Sequence, residues 1–437
     1  MKKAFLFLFF VTTFSWCFSQ RTTYKINYYS PGNYGKGHEA ANWACVQDKN
    51  GVLYFGNAGG LLQNDGENWS FIPVKNQSVW VKSLAVSEEN VIYAGAENEF
   101  GYLTHNESGK LIYVSLSDKL TQDQKSFTSI IHVWTWKNIV AFQSEEAVFL
   151  YSNGKLTSIL PETSFHNSFL INDDLFVRQR GVGIMKLNGN NLELVKGSEY
   201  LKDFGVFSVF ESSDKSRYII ITHEDGFWSV NKCTFKGYQV ITPDSAIFRQ
   251  SEIYGGIRLK DGKIAINTLS NGIILTDETF KIITIINKDN GLKVNGVLSL
   301  LEDYQGNIWA GLDNGIVQVY YSSPVSVFGP ENGISGNINA IIRYNGNLFI
   351  GTTTGLFVQN NNYKISSASF VQFDRFVKEV RALCLADGSL LIGTMDELFE
   401  IKNNELKKID NIDIEALHYS DWLKALFIEG KKKLSIL

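Results

Sequence analysis

The sequence predicts an all-β fold, a seven-bladed β-propeller followed by a partial second propeller of about three blades. Three observations carry this. A strand, turn, strand phrase recurs along the 437 residues about every 42 positions, the period of a four-stranded blade. Almost no segment keeps a 3.6-residue apolar period for three turns, which sets aside helical solenoids of similar repeat length. The composition, 44% apolar and 13% aromatic with 37 Gly and only 6 Pro, suits short buried strands joined by glycine turns. It does not suit a disordered or collagen-like chain.

Taken in chain order, residues 1–19 (MKKAFLFLFFVTTFSWCFS) hold two lysines, an apolar run, and small residues Cys17 and Ser19 at the −3 and −1 positions. That is a secretory signal peptide, cleaved between Ser19 and Gln20, and it predicts export to the periplasm. A lipoprotein reading with Cys17 acylated is disfavoured by bulky Trp16 beside it. No later segment supplies the ~18 apolar residues needed to cross a bilayer.

The repeat is clearest in VLSLLEDYQGNIWAGLDNGI (297–316): an apolar strand, a turn at Asp303–Gly306, a strand carrying Trp309, and a turn closing at Gly315. Copies stand at 46–61, 341–358 and 384–399, with weaker ones between. The second turn falls at Gly60, Gly101, Ala147, Gly183, Gly226, Gly272, Gly315, Gly355 and Glu397. Within each copy the Asp/Asn-x-x-Gly turn supplies the positive φ that a tight reversal needs. The bulky residue three places later (Tyr54, Tyr93, Phe176, Trp309, Phe349) is expected to pack against the neighbouring blade. The segment 414–428 could be read as a helix, but its place in the series fits strand, turn, strand.

Seven repeats end at Gly315, and the text then restarts: Tyr28-Tyr29-Ser30-Pro31 is echoed by Tyr320-Tyr321-Ser322-Ser323-Pro324. Residues 20–323 are thus expected to form one closed ring, with the strand near Thr22–Tyr29 completing the last blade. Residues 324–437 are expected to hold an incomplete second propeller. Three blades cannot close, so the expectation is that the chain stops short of a complete second ring.

The motif D-x-x-G-N-[IL]-W-x-G-[LT]-x-x-G-[IL] at 303–316, the opening NYYSPGNYGKGHEAANWACVQDKNGVLYFGNAGGLLQNDGENW, and the later EFGYL and GKLIYVSLSDKL resemble the N-terminal sensor region of bacterial one-component and hybrid two-component regulators. The resemblance covers residues 20–437. It implies two periplasmic seven-bladed propellers, a three-tyrosine domain, a membrane span, and a histidine kinase or helix-turn-helix output. Ligands in that family are often oligosaccharides. It also implies membrane attachment only through a C-terminal part missing from these residues, and a homodimer in the full-length protein. Any kinase or DNA-binding activity would lie outside these residues.

The remaining chemistry is sparse. A net charge of −4 with no basic block argues against nucleic acid as a partner; Lys431-Lys432-Lys433 reads as a solvated turn. After signal removal Cys45, Cys233 and Cys384 are too few and too scattered for a disulfide framework or a metal site, and Cys45 and Cys384 read as buried, inert thiols. The six histidines lack ligand spacing, and no G-x-S-x-G, H-E-x-x-H or phosphate-loop motif occurs. No catalytic residue, metal or cofactor is therefore expected. Propeller geometry brings the loops entering the inner strands, and those joining second and third strands, to one mouth of the central channel. The first set includes His38, Asn42, Trp43, Trp80, Trp134, Phe169, Phe207 and Tyr254; the second, Asn57, Glu97, Arg178, Arg180, His223, Glu224 and Asn271. Aromatic faces with Arg, Asn and Glu suit a sugar, so Trp43, Trp80, Trp134, Arg180, His223 and Tyr254 are the expected ligand contacts. The expected partner is an oligosaccharide or another small ligand. The alternatives are a secreted propeller enzyme, of glycan lyase, hydrolase or quinoprotein type, and a protein-binding scaffold.

Overall fold

The local rule that makes these strands is visible at each first turn. Asp48 Oδ1 accepts the backbone N–H groups of Asn50 and Val52, both at 2.9 Å, and Gly51 takes φ +87°. Asp303 repeats this, accepting the Asn307 amide at 2.7 Å, with Gly306 at φ +81°. Here the repeat's tryptophan joins in: Trp309 Nε1 donates to Asp303 Oδ2 at 2.9 Å. An Asx turn followed by a left-handed glycine reverses the chain between two antiparallel strands, and alternation along those strands does the rest.

The structure, a computed structural model, describes residues 24–35, 39–75, 79–223, 226–360 and 369–437. The signal segment, Thr22, His38 and Glu224 lie outside the described residues. The described residues form ten antiparallel sheets, nine of four strands and one of three. Blades 1 to 6 span residues 42–72, 81–115, 132–159, 165–194, 206–240 and 253–286. Blade 7 takes three strands from 297–319 and its outer strand from Ile26–Tyr29, paired from Ile26↔Val319 to Tyr29↔Ile316. Inner strands of successive blades pack on one another, and Val297–Glu302 of blade 7 packs on Asn42–Gln47 of blade 1. Those seven sheets thus return on themselves around a channel. Three further sheets, at 338–372, 382–410 and 416–436, pack in the same succession.

The repeated aromatics fill the joints between blades. Tyr54 of blade 1 packs with Leu84 and Ile92 of blade 2, Phe176 with Tyr218 of blade 5, and Trp309 with Phe55 and Leu53 of blade 1. Glycines set the closeness of those joints. A Cβ on Gly311 would lie 2.2 Å from the Asn42 carbonyl oxygen, one on Gly56 2.5 Å from that of Val81, and one on Gly95 2.3 Å from Ile130 Cγ2.

Some local expectations shift. The second hairpin of blade 2 pairs Ala96 with Glu99, so Glu99 stands where blades 1, 4, 5, 6 and 7 have their turn glycine, two residues before Gly101. Gly101 answers a different demand, since a Cβ there would meet the Val114 carbonyl at 2.1 Å. Segment 414–428 is strand, turn, strand (Ala416–Ser420, Ala425–Glu429), as its place in the series requires. A six-residue helix, Ser245–Gln250, lies between blades 5 and 6. Cys45 is buried, but Cys384 is only partly so and Cys233 is exposed. Among the described residues no helix is long and apolar enough to cross a membrane.

Candidate ligand-binding site

The channel mouth is built by a defect that recurs in the ladder. Where the inner strand enters, the pairing with the second strand slips between Asn42 and Ala44, Val81 and Ser83, Phe165 and Ser168, Val206 and Ser208, Ile253 and Gly255, and Val297 and Ser299. A β-bulge leaves the skipped residue unpaired and re-aims it. The skipped residues include Trp43, Lys82, Asn167, Phe207, Tyr254 and Leu298, and all six line one cavity of about 370 Å³. Each is followed by a small residue (Ala44, Ser83, Ser168, Ser208, Gly255, Ser299), which also lines the cavity, because the inner strands converge there. Blade 3 has no slip; its inner strand contributes His132 and Trp134.

Of the six expected contacts, Trp43, Trp134 and Tyr254 line this cavity. Trp80, 43% exposed, stacks on Trp43 with ring centroids 6.0 Å apart and planes 20° apart. Lys82 Nζ stands 5.7 Å from both indoles and 3.7 Å from Glu97 Oε1. Trp43 Nε1 is buried without a partner among the described residues. Trp134, by contrast, has its indole N–H engaged: Nε1 donates to Ser168 Oγ at 2.9 Å, and Ser168 Oγ donates to Gln143 Oε1 at 3.1 Å. Arg180 and His223 do not line the cavity. Arg180, half-exposed, pairs with Glu145 at 2.8 Å. His223 lies against Phe207, centroids 5.5 Å apart, and lines a neighbouring cavity of about 230 Å³ with Arg249 of the short helix. Asn42 and Asn57 are structural: Asn42 Nδ2 donates to Gly315 O at 2.9 Å and Asn57 Nδ2 to Asn42 Oδ1 at 3.0 Å, tying blade 1 to blade 7.

Three residues lining this mouth escaped the sequence reading, Lys82, His132 and Asn167, as did His166 beside it, whose ring stands 5.5 Å from that of Phe207. For Lys82 and Asn167 the signal, an unpaired position before a small residue at the start of an inner strand, is legible only once the bulge is known; His132 sits in a ladder without a slip. His132 stacks on Trp134 at 5.7 Å and 22°, and burial drives its pKa down to about 4. His166 is also driven down to about 4, first by burial and then by Arg178, Arg180 and His132. His132 Nε2 and His166 Nδ1 have no partner among the described residues, nor do Arg178 Nε and Gln179 Nε2. Aromatic faces beside unanswered polar atoms can stack a ring and hydrogen-bond its substituents.

Blades ringing a channel, with a bulge-built aromatic mouth, define a β-propeller. Residues 291–314, which lead into blade 7 and form its first two strands, match the family model described as two component regulator propeller. The chain is similar to the extracellular domain of the hybrid two component system BT3049 from B. thetaiotaomicron (18% identity, TM-score 0.65, covering 95% of this chain and 59% of that one). It is also similar to that of BT4673 from the same organism (16%, TM-score 0.53, 95% and 58%). The chain thus spans under two thirds of those domains. Virginiamycin B lyase from Staphylococcus aureus shares the fold over 68% of this chain and 97% of its own, at 10% identity and TM-score 0.51. At such identities the likeness is one of fold. No curated protein sequence matches the chain.

Proposed function

We propose that this chain is the ligand-binding, non-enzymatic propeller region of a signal-transduction receptor, acting outside the cytoplasm and taking a carbohydrate at the channel mouth. The observation that carries the reading is the cavity itself: Trp43, Trp134, Phe207 and Tyr254 converge on about 370 Å³ from four different blades. Stacking on sugar C–H faces needs such rings, and the Trp43 N–H is a donor awaiting a hydroxyl. The likeness to extracellular domains of hybrid two component systems supports export and signalling. In this reading residues 20–323 form one ring and 324–437 begin a second, and ligand binding biases the packing between the two. A downstream dimer then carries the signal.

The test is titration of the chain from Gln20 onward with an oligosaccharide panel, followed by tryptophan fluorescence. A saturable change, abolished in Trp43→Ala and Tyr254→Ala, is expected. A panel without a single saturating member would sink the carbohydrate reading.

A further inference from the structure

At one slot of the second strand, just before the second turn, the blades differ in a way the fold does not require. The slot holds Gly56, Gly95 and Gly311 in blades 1, 2 and 7, where the next inner strand comes too close for a side chain. It holds Gln143 in blade 3, Arg178 in blade 4, Ile221 in blade 5 and Asn267 in blade 6. The two amides are fully explained by the fold: Gln143 Nε2 donates to His166 O at 3.0 Å and Asn267 Nδ2 to Val297 O at 3.1 Å, each clasping the next blade.

Arg178 makes the same clasp, its Nη2 donating to the Lys202 carbonyl, and so has a full charge and further N–H groups in excess of the task. It is 5% exposed, its Nε has no partner, and among the described residues no carboxylate stands within ion-pair distance. Glu145, on blade 3's turn, is occupied by Arg180; Asp203 offsets the charge only at longer range. An arginine buried without a counter-charge is costly. Arg178 and Arg180 both act on the His166 ring, which stands beside Phe207 of the channel mouth with ring centroids 5.5 Å apart. Across the bulge, Asn167 and Ser168 line the channel cavity.

We infer that the ligand carries an acidic group, a carboxylate or a sulfate ester, and that Arg178, with Arg180 and the His166 ring, forms the subsite that receives it. The inference rests on the carbohydrate reading above and sharpens it to an acidic oligosaccharide. The sugar rings lie on the aromatic residues while the oxyanion takes the Arg178 Nε–H, which has no partner among the described residues, a charge-assisted pairing that a neutral sugar cannot offer.

The experiment compares matched pairs by tryptophan fluorescence and calorimetry: oligogalacturonate against neutral oligogalactose of equal length, and a sulfated galactan oligosaccharide against its desulfated form. At least one acidic member is expected to bind tenfold or more tighter than its neutral partner, and which pair shows the preference identifies carboxylate or sulfate. Arg178→Gln, which keeps the clasp in the manner of Gln143, should bring the acidic member to within about threefold of the neutral one. Arg180→Gln, at a half-exposed position, should weaken the acidic member alone by a few-fold and covers the case in which the first variant does not fold. Equal binding of both members of each pair, or a preference unchanged in the folded variants, overturns the inference while leaving the carbohydrate reading standing. Binding by no member of either pair removes that reading, and the inference with it.

Discussion

Gly311→Ala tests the claim that glycine at the blade joint is a requirement of close approach. Gly311 lies in the strand Ile308–Leu312 of blade 7, where blade 1 closes the ring. The new methyl would lie 2.2 Å from Asn42 O, 3.0 Å from Asn42 C and 2.5 Å from Ser299 Oγ. Ordinary contact needs about 3.4 Å or more, so the strand carrying Asn42 must retreat by roughly 1 Å. The serine hydroxyl can rotate away; the carbonyl cannot. That retreat strains the 2.9 Å bond from Asn42 Nδ2 to Gly315 O. Overpacking of this kind costs about 1–3 kcal/mol, a weakened buried hydrogen bond adds about 1, and the stiffer unfolded chain returns about 0.5–1. The expected net loss is about 1–3.5 kcal/mol. Urea unfolding followed by both tryptophan fluorescence and far-UV circular dichroism reads it as a lowered midpoint. Gly59→Ala is the control: its Cβ would meet nothing nearer than 3.5 Å, so a change within about 0.5 kcal/mol is expected. If Gly311→Ala is as mild as Gly59→Ala, the close-approach argument for these glycines is wrong.

Three further outcomes are expected. Glu99, 3% exposed, accepts from the Phe100 amide at 2.9 Å, Tyr113 Oη at 3.1 Å, Ser115 Oγ at 2.8 Å and Ser117 Oγ at 2.8 Å, and pairs with Lys75; Glu99→Ala strands them all and should lower stability by about 3 kcal/mol or more, whereas a melting temperature equal to that of the parent would refute this. The depressed pKa values of His132 and His166, each about 4 against 6.5, mean that the unfolded chain binds more protons between those limits. Stability therefore falls as pH drops from 6.5 toward 4, by at most about 3 kcal/mol per ring; a pH series of urea midpoints should show the fall, and its persistence in His132→Asn/His166→Gln would count against the assignment. Finally, burial lifts the Cys45 thiol to about 12 while Cys233 is exposed, so a thiol reagent should label Cys233 at once in the chain from Gln20 and Cys45 only on unfolding; rapid native labelling of Cys45 would contradict its burial.

Much of the fold was legible because its signals are local. An Asp48 or Asp303 followed three residues later by glycine makes its turn whatever lies beyond, and Tyr54 or Trp309 follows at a fixed offset. The Tyr28-Tyr29 echo near residue 320 even announced the strand Ile26–Tyr29 that pairs with Ile316–Val319. Where a turn lacked glycine, as at Ala96–Glu99, the alignment slid two residues to Gly101, because glycine can be demanded by packing as well as by a turn. The channel mouth was half legible. Trp43, Trp134 and Tyr254 were reached from the general geometry of the fold, whereas Arg180 and His223 stand outside the cavity lining, the first paired with Glu145 and the second beside Phe207 and Arg249.

By itself the sequence determined the all-β class, the repeat and the turns, since hydrogen bonds within a few residues and strict alternation decide them. Only the tertiary structure decided the site. A bulge shifts the phase of six of the ring's seven inner strands by a residue or more, so alternation no longer tells which side chain faces the channel. The residues that then meet, from Trp43 to Leu298, come from seven blades and owe their proximity to ring packing alone. Arg178 shows this most plainly: in the sequence it is an ordinary arginine in a short strand, and only the glycines at the same slot of other blades, and the absence of an acid beside it among the described residues, make it stand out.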